Sequence, residues 1–190
     1  FARQSETGEN ENHAIIDNGS CVSVHASSIS TALMAFNASI VIVNSEGEKK
    51  KVTMDDFFIS PGKDIAMETI LKNKEIITEI VLPVPTKNTK SFYIKQGSRE
   101  SYDWSLGDVA VVIEASGATC KSASIVLGAA APVPYRSIQA QQAMENKTIN
   151  KENALAAAEA AISIARPLSK NGYKVPLFKS IIIQAILKTT

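Results

Sequence analysis

Ser91-Phe92-Tyr93-Ile94, then Val109-Ala110-Val111-Val112-Ile113-Glu114, then Ser124-Ile125-Val126-Leu127 are the three segments from which the architecture follows. Each is rich in β-branched or aromatic residues, which fit a pleated, half-buried surface, so each reads as a strand. Ser116-Gly117 lies between the second and third, and that turn chemistry makes them an antiparallel hairpin. Pro132-Val133-Pro134 turns the chain out of the sheet. Downstream, Asn150 sits where a helix cap belongs, Glu152 puts an acid in the first turn, and Leu155, Ala158, Ile162 and Ala165 form one stripe before Pro167. A last helix is expected to start near Pro176 and to carry Leu177, Ile181, Ile182, Ala185 and Ile186.

Upstream of these strands, Pro83–Lys90 is proline-rich, polar and aperiodic, the composition of a linker. Before it, Ile40-Val41-Ile42-Val43 and Lys51-Val52-Thr53-Met54 flank the turn residues Asn44-Ser45-Glu46-Gly47 and read as a second hairpin. Glu75–Leu82 reads as another strand, stopped by Pro83. Ser27-Ser28 caps a short helix whose apolar face is expected at Ile29, Ala32, Leu33 and Phe36. Residues 1–20 are polar and aperiodic and read as an extended loop. Strands followed by helices, rather than alternating with them, indicate an α+β fold.

The chain has 190 residues with 20 Lys+Arg against 19 Asp+Glu, a net charge of +1, and 45% of its residues are hydrophobic. High apolar content with balanced charge excludes disorder, and the missing basic excess removes the usual electrostatic basis for binding nucleic acid or anionic membranes. Two distant cysteines, Cys21 and Cys120, make neither a disulfide framework nor a zinc site, so a reduced, cytoplasmic setting is expected. No apolar run approaches the roughly 20 residues that cross a bilayer. The first residue is Phe1, not Met, which fits a processed chain or part of a longer one.

Several chemistries lack their motifs. With 9 unclustered glycines there is no phosphate-cradling G-x-G-x-x-G or G-x-x-x-x-G-K-[ST] loop. No serine stands in a G-x-S-x-G elbow, no carboxylates are paired by spacing, and His13 and His25 are the two imidazoles. The densest set of unusual residues is Phe92–Trp104, which gathers Lys95, Arg99, Glu100, Asp103 and the aromatics Tyr93, Tyr102 and Trp104 on a strand and the loop leaving it. A planar, electron-rich or anionic ligand suits such a place, since aromatic faces stack and a cation stabilises negative charge developing on a ring. A plainer reading has Arg99 pairing with Asp103 or Glu100, and Trp104 filling a core edge.

The sequence F-Y-I-K-Q-G-S-R-E-S-Y-D-W-S-L-G-D-V-A-V-V at 92–112 resembles the FAD-binding (medium) subunit of the molybdenum hydroxylases, the family of xanthine dehydrogenase, aldehyde oxidoreductase and aerobic carbon monoxide dehydrogenase. Four further stretches agree in order: C-V-S-V-H-A-S-S-I-S-T-A-L-M-A-F-N-A at 21–38, E-T-I-L-K-N-K-E-I-I-T-E-I-V-L-P at 68–83, L-G-A-A-A-P-V-P-Y-R at 127–136 and N-G-Y-K-V-P-L at 171–177. The resemblance implies that residues 1–86 are the C-terminal part of a PCMH-type FAD-binding domain. Residues 88–190 would then be the flavoprotein C-terminal α/β domain, a three-stranded antiparallel sheet with helices. It further implies an oxidoreductase in which a molybdopterin subunit oxidises substrate, a 2Fe-2S subunit carries electrons, and FAD here delivers them to NAD or another acceptor.

By the same resemblance Lys95 lies near the isoalloxazine, Ile77 touches the ring system, Asp103 and Trp104 stand beside the flavin face, and Arg99 is a basic residue near the acceptor side. Structural alternatives stand beside these roles: Ile77 as core, Trp104 as packing. The chain also departs from the family. The glycine-rich pyrophosphate loops have no counterpart, and Ser28 replaces an Asp of the family's P-S-D segment. Arg3–Glu11 resembles the tail of a cluster-bearing loop, but Cys21 alone cannot ligate a cluster. Residues of this kind are expected to bind FAD poorly on their own. A competing possibility is a cofactor-less module that docks the cluster and molybdenum subunits through its apolar C-terminal helix.

Overall fold

A computed structural model describes residues 8–99 and 102–190. The first half contains α1 (Ser28–Ala35), β1 (Ser39–Val43), β2 (Lys49–Thr53), the single turn α2 (Met54–Phe57) and β3 (Ile76–Val81). The second contains β4 (Thr89–Gln96), β5 (Gly107–Ser116), β6 (Thr119–Gly128), β7 (Tyr135–Arg136), α3 (Ile138–Met144), α4 (Lys151–Ile162) and α5 (Lys174–Leu187). The strands form two antiparallel sheets, ordered β2-β1-β3 and β4-β5-β6-β7. The expected three-stranded sheet of the second half is present, extended by the two-residue β7.

The turns fall where their chemistry put them. Gly47 and Gly117 take φ of +83° and +58°, a left-handed conformation that only glycine adopts without strain. The Ser27 hydroxyl accepts from the Ser30 N–H, and the Asn150 side chain accepts from the Asn153 N–H, so both expected caps are made.

The larger sheet has two different faces. Val109, Val111 and Ile113 of β5 point into a core shared with α3, α4 and α5, whereas Ala110 and Val126 point into a second core with α1, β1 and α2. The helices show different faces from those read in the sequence. On α1 the buried residues are Thr31, Met34 and Ala35, and Ile29 is 70% exposed. On α4 they are Ala154, Ala157, Ala158 and Ala161, while Leu155 faces outward at 38% exposure. Alanine on the inner face lets α4 lie close against α3 and α5, so small size rather than hydrophobic bulk selects that face. Of the expected stripe of α5, Ile181, Ile182, Ala185 and Ile186 are buried and Leu177 is half-buried, while Phe178, outside that expectation, is buried beside them. Gly107 permits this approach, because a Cβ there would stand 2.8 Å from Leu177 Cδ2 and Phe178 Cζ.

Residues 8–20, the described part of the N-terminal segment, have no regular structure, as expected, but they do not form a surface loop. Ala14, Ile15 and Ile16 are buried among α5, β5 and β6, and the N–H groups of both isoleucines donate to Ala130 O. Burial of two isoleucines stabilises by roughly 4 kcal/mol at about 25 cal/mol per Å². Of the stretch Arg3–Glu11, residues 3–7 lie outside the described residues.

Candidate functional site

Cross-strand register builds the site. Lys95 stands opposite Asp108, Tyr93 opposite Ala110, and Asp108 opposite Gly128 on the far side. Directly opposed residues share a sheet face, so Tyr93, Lys95 and Asp108 all belong to the face that carries Ala110 and looks toward α1. Phe92 and Ile94, opposite Val111 and Val109, belong to the other.

Asp108 anchors this face at 2% exposure. Ser105 Oγ donates to its Oδ2 at 2.5 Å. The Thr31 and Tyr93 hydroxyls stand beside the carboxyl and favour its ionised form, yet Oδ1 has no partner that meets hydrogen-bond geometry. Burial pushes the Asp108 carboxyl up; the hydroxyls of Ser105, Thr31 and Tyr93 and then the Lys95 charge pull it back. The Tyr93 phenol is pushed up to about 12, chiefly by burial.

Two more polar groups lie behind the wall. His25 donates its backbone N–H to Ala131 O at 3.0 Å and sets its ring edge-on to Phe58 at 4.8 Å. Its Nε2 is buried without a partner, and burial holds the imidazole below its ordinary value against the opposing pull of Glu68 and Asp108. Lys174 is fully buried, and its Nζ donates to Ala129 O at 2.9 Å and Asn12 O at 3.1 Å. Burial brings this ammonium down to about 8, with Asp108 acting the other way. Ala129 itself has φ of +57°, so Lys174 clamps the backbone of the turn at a strained residue.

The Lys95 side chain is exposed and makes no hydrogen bond or ion pair with any described residue. Trp104 is 75% exposed, which overturns the plainer reading that it fills a core edge. Arg99 Nε does pair with Asp103 Oδ2, at 2.8 Å on the loop, while Glu100 lies outside the described residues. Ile77 belongs to the other sheet, where it opposes Ile42 and is 43% exposed. The larger sheet thus brings Lys95 together with Asp108 and Tyr93, whereas Ile77 and the Arg99–Asp103 pair stand apart from that cluster. Asp108 was missed in the sequence reading, although an acid heading the run Gly107-Asp108-Val109-Ala110-Val111-Val112 was a visible signal.

A cleft of about 280 Å³ opens at the opposite end of the same sheet, between Pro83–Pro85 and Arg136. Its charged groups are already engaged: Glu114 accepts from Thr86 and Thr89, and Arg136 is bonded to Asp55, Ser124 and Met34. The Lys95 wall is the better match to a ring ligand. A flavin ring asks for apolar and aromatic surface and a cation at its electron-accepting edge. Exposed Tyr93 and uncommitted Lys95 fit one side of such a ring, and the buried Asp108 carboxyl, its Oδ1 without a hydrogen-bond partner, lies one strand behind them.

Comparison with known proteins identifies the family. Residues 92–189 match the CO dehydrogenase flavoprotein C-terminal domain, and residues 19–85 match the FAD binding domain in molybdopterin dehydrogenase. The chain is 30% identical over 173 residues to the aldehyde oxidoreductase FAD-binding subunit PaoB of Escherichia coli, covering 90% of this chain and 51% of that protein. It is 31% identical over 134 residues to the carbon monoxide dehydrogenase medium chain of Hydrogenophaga pseudoflava, covering 70% and 44%. The chain spans about half the length of these curated relatives. Among solved structures, carbon monoxide dehydrogenase from Hydrogenophaga pseudoflava lacking the Mo-pyranopterin moiety superposes with a TM-score of 0.74 at 26% identity, over 98% of this chain and 61% of that one. Quinoline 2-oxidoreductase from Pseudomonas putida shares the fold, with a TM-score of 0.73 at 21% identity over 97% and 60%. No helix among the described residues is long and apolar enough to cross a membrane. With a domain match covering more than half its residues, a second match before it and the same fold throughout, the chain belongs to the family of FAD-binding medium subunits of the molybdenum hydroxylases.

Proposed function

We propose that this chain forms one wall of the FAD site in the electron-transfer subunit of a molybdopterin-dependent hydroxylase or dehydrogenase. In this reading electrons arrive from 2Fe-2S clusters of a partner subunit, a second partner holds the molybdopterin, and NAD or another acceptor takes the electrons away. The observation that carries the reading is the uncommitted Lys95 ammonium on the exposed edge strand β4 beside Tyr93, in a chain of this family. FAD bound here would supply the one- and two-electron redox chemistry.

The chain's own residues divide the work. Lys95 favours negative charge on a ring lying against the wall. Tyr93 and Trp104 offer aromatic surface, Ile77 offers apolar cover from β3, and the Arg99–Asp103 pair orients the loop that carries Trp104. The domain division that suits this role is 1–86 and 88–190, and the setting is cytoplasmic.

The competing reading, a cofactor-less docking module, relies on the C-terminal helix as its docking face. In α5 the apolar stripe is already buried inside the chain, so that face is not on offer. The test is a visible spectrum of the purified complex, followed by flavin reduction kinetics. A flavin band is expected, and Lys95→Ala should slow reduction of the flavin about tenfold, ~1.4 kcal/mol of barrier. A colourless complex with every subunit assembled sinks the reading, and unchanged kinetics sink the role of Lys95.

A further inference from the structure

We propose that Asp108 is the counter-charge of the flavin wall: a buried carboxylate that offsets Lys95 and so sets how strongly this face favours an added electron pair on the ring. The proposal deepens the flavin reading and rests on it.

The placement is specific. Asp108 is the cross-strand neighbour of Lys95, on the same face and one strand deeper, and its Oδ2 is fixed by Ser105. Its carboxyl and the Thr31 hydroxyl occupy the space over Gly128, where a Cβ would overlap both. The carboxyl is thus seated against the sheet over Gly128 and tied to Ser105. The titratable groups around it come from three elements: Tyr93 and Lys95 from β4, His25 from the segment before α1, and Lys174 from α5. Among these described neighbours Asp108 is the sole carboxylate facing two lysines.

Such a residue is expensive to keep. It stands just before the buried apolar run Val109–Val111, and one of its oxygens is buried without a hydrogen bond. A well-packed apolar side chain in the same place is usually neutral or stabilising, so stability does not explain it. A charge function does. A lone Lys95 would bias the ring strongly toward its reduced form and slow the hand-over to an acceptor, whereas a fixed anion behind it weakens that bias. Fixed charges in a partly dry site act at longer range than in water, because screening there is weak.

The test is the midpoint potential of the bound flavin in the assembled complex, measured by anaerobic titration against redox dyes. Asp108→Asn keeps the shape and an acceptor for Ser105, and should favour the reduced flavin at least threefold, an upward shift of about 14 mV for a two-electron couple. Lys95→Met should move the potential downward. The double variant should lie closer to wild type than either single one, because it removes one charge of each sign. Ser105→Ala, which withdraws a donor that keeps the carboxyl ionised, should act like Asp108→Asn but more weakly, and it guards against a fold failure at the buried site. A flavin-loaded complex in which Asp108→Asn leaves the potential unmoved or lowers it overturns the counter-charge. A wild-type complex without flavin overturns the functional reading beneath it.

Discussion

Replacing Arg136 by alanine tests how the two halves of the chain are held together. The guanidinium reaches across from β7. Its Nε and Nη2 donate to Asp55 at 2.7 and 2.9 Å, its Nη2 to Met34 O at 2.6 Å, and its Nη1 to Ser124 Oγ at 2.6 Å. Asp55 and Met34 belong to the first half, so one side chain bridges α1, α2 and the larger sheet. The Arg136 side chain is 15% exposed, but that of Asp55 is 46% exposed. The half-wet carboxylate regains water when its partner leaves, so the ion pair falls well short of the 3–5 kcal/mol of a fully buried one, and we assign it about 1 kcal/mol. The Met34 carbonyl and Ser124 hydroxyl lose charge-assisted bonds at about 1 kcal/mol each after partial rehydration. The sum is about 3 kcal/mol, or roughly 6–12 °C in Tm for a chain of this size. Urea unfolding of the purified protein, followed by circular dichroism, measures it. Arg136→Lys should recover less than half of the loss, since an ammonium cannot fork onto Asp55. A loss under about 1 kcal/mol for Arg136→Ala, or full recovery with lysine, refutes the latch.

Three further outcomes are expected. The Lys174 ammonium sits at about 8 rather than 10.5, so its stabilising contribution is full above pH 10.5 and is lost as pH falls toward 8. Relative to Lys174→Met, the wild type should gain up to about 3 kcal/mol between those limits, and parallel pH profiles of urea midpoints would contradict this. Gly128→Ala should destabilise by about 2 kcal/mol or more in the same assay, because its Cβ overlaps Asp108 and Thr31; a neutral result means the carboxyl can move. Trp104→Ala should leave stability within about 0.5 kcal/mol, given its exposure, while reducing flavin retention on gel filtration of the complex. Equal retention removes Trp104 from the wall.

Much of this fold was legible because local chemistry and global structure agree. Gly47 and Gly117 mark their turns, Ser27 and Asn150 mark their caps, and the β-branched runs mark strands that pair as expected. The helix faces were less legible. Bulk hydrophobicity favoured Ile29 on α1 and Leu155 on α4, but both helices are squeezed between neighbours, and there Thr31, Ala154, Ala157 and Ala161 fit where larger residues do not. The short α3 carries no strong apolar period and went unread; its start is visible afterward in the Ser137 cap, whose hydroxyl accepts from Ala140 N–H. In the site, Lys95 stood out as part of an aromatic and charged cluster. Asp108 and Lys174 did not, since each is a single charge in an apolar stretch, and its meaning depends on which strand and helix lie opposite.

The burial of Ala14, Ile15 and Ile16 against the last helix also bears on how the chain reaches this state. Asn10 accepts from the backbone N–H of Lys170, 160 residues later, and Lys174 grips the carbonyl of Asn12 across 162. The earliest described residues to leave the ribosome therefore wait for the latest before their apolar side chains find shelter. Closure over such separations slows folding, and until α5 emerges this apolar segment is exposed and sticky, and a chaperone would be well placed to shield it.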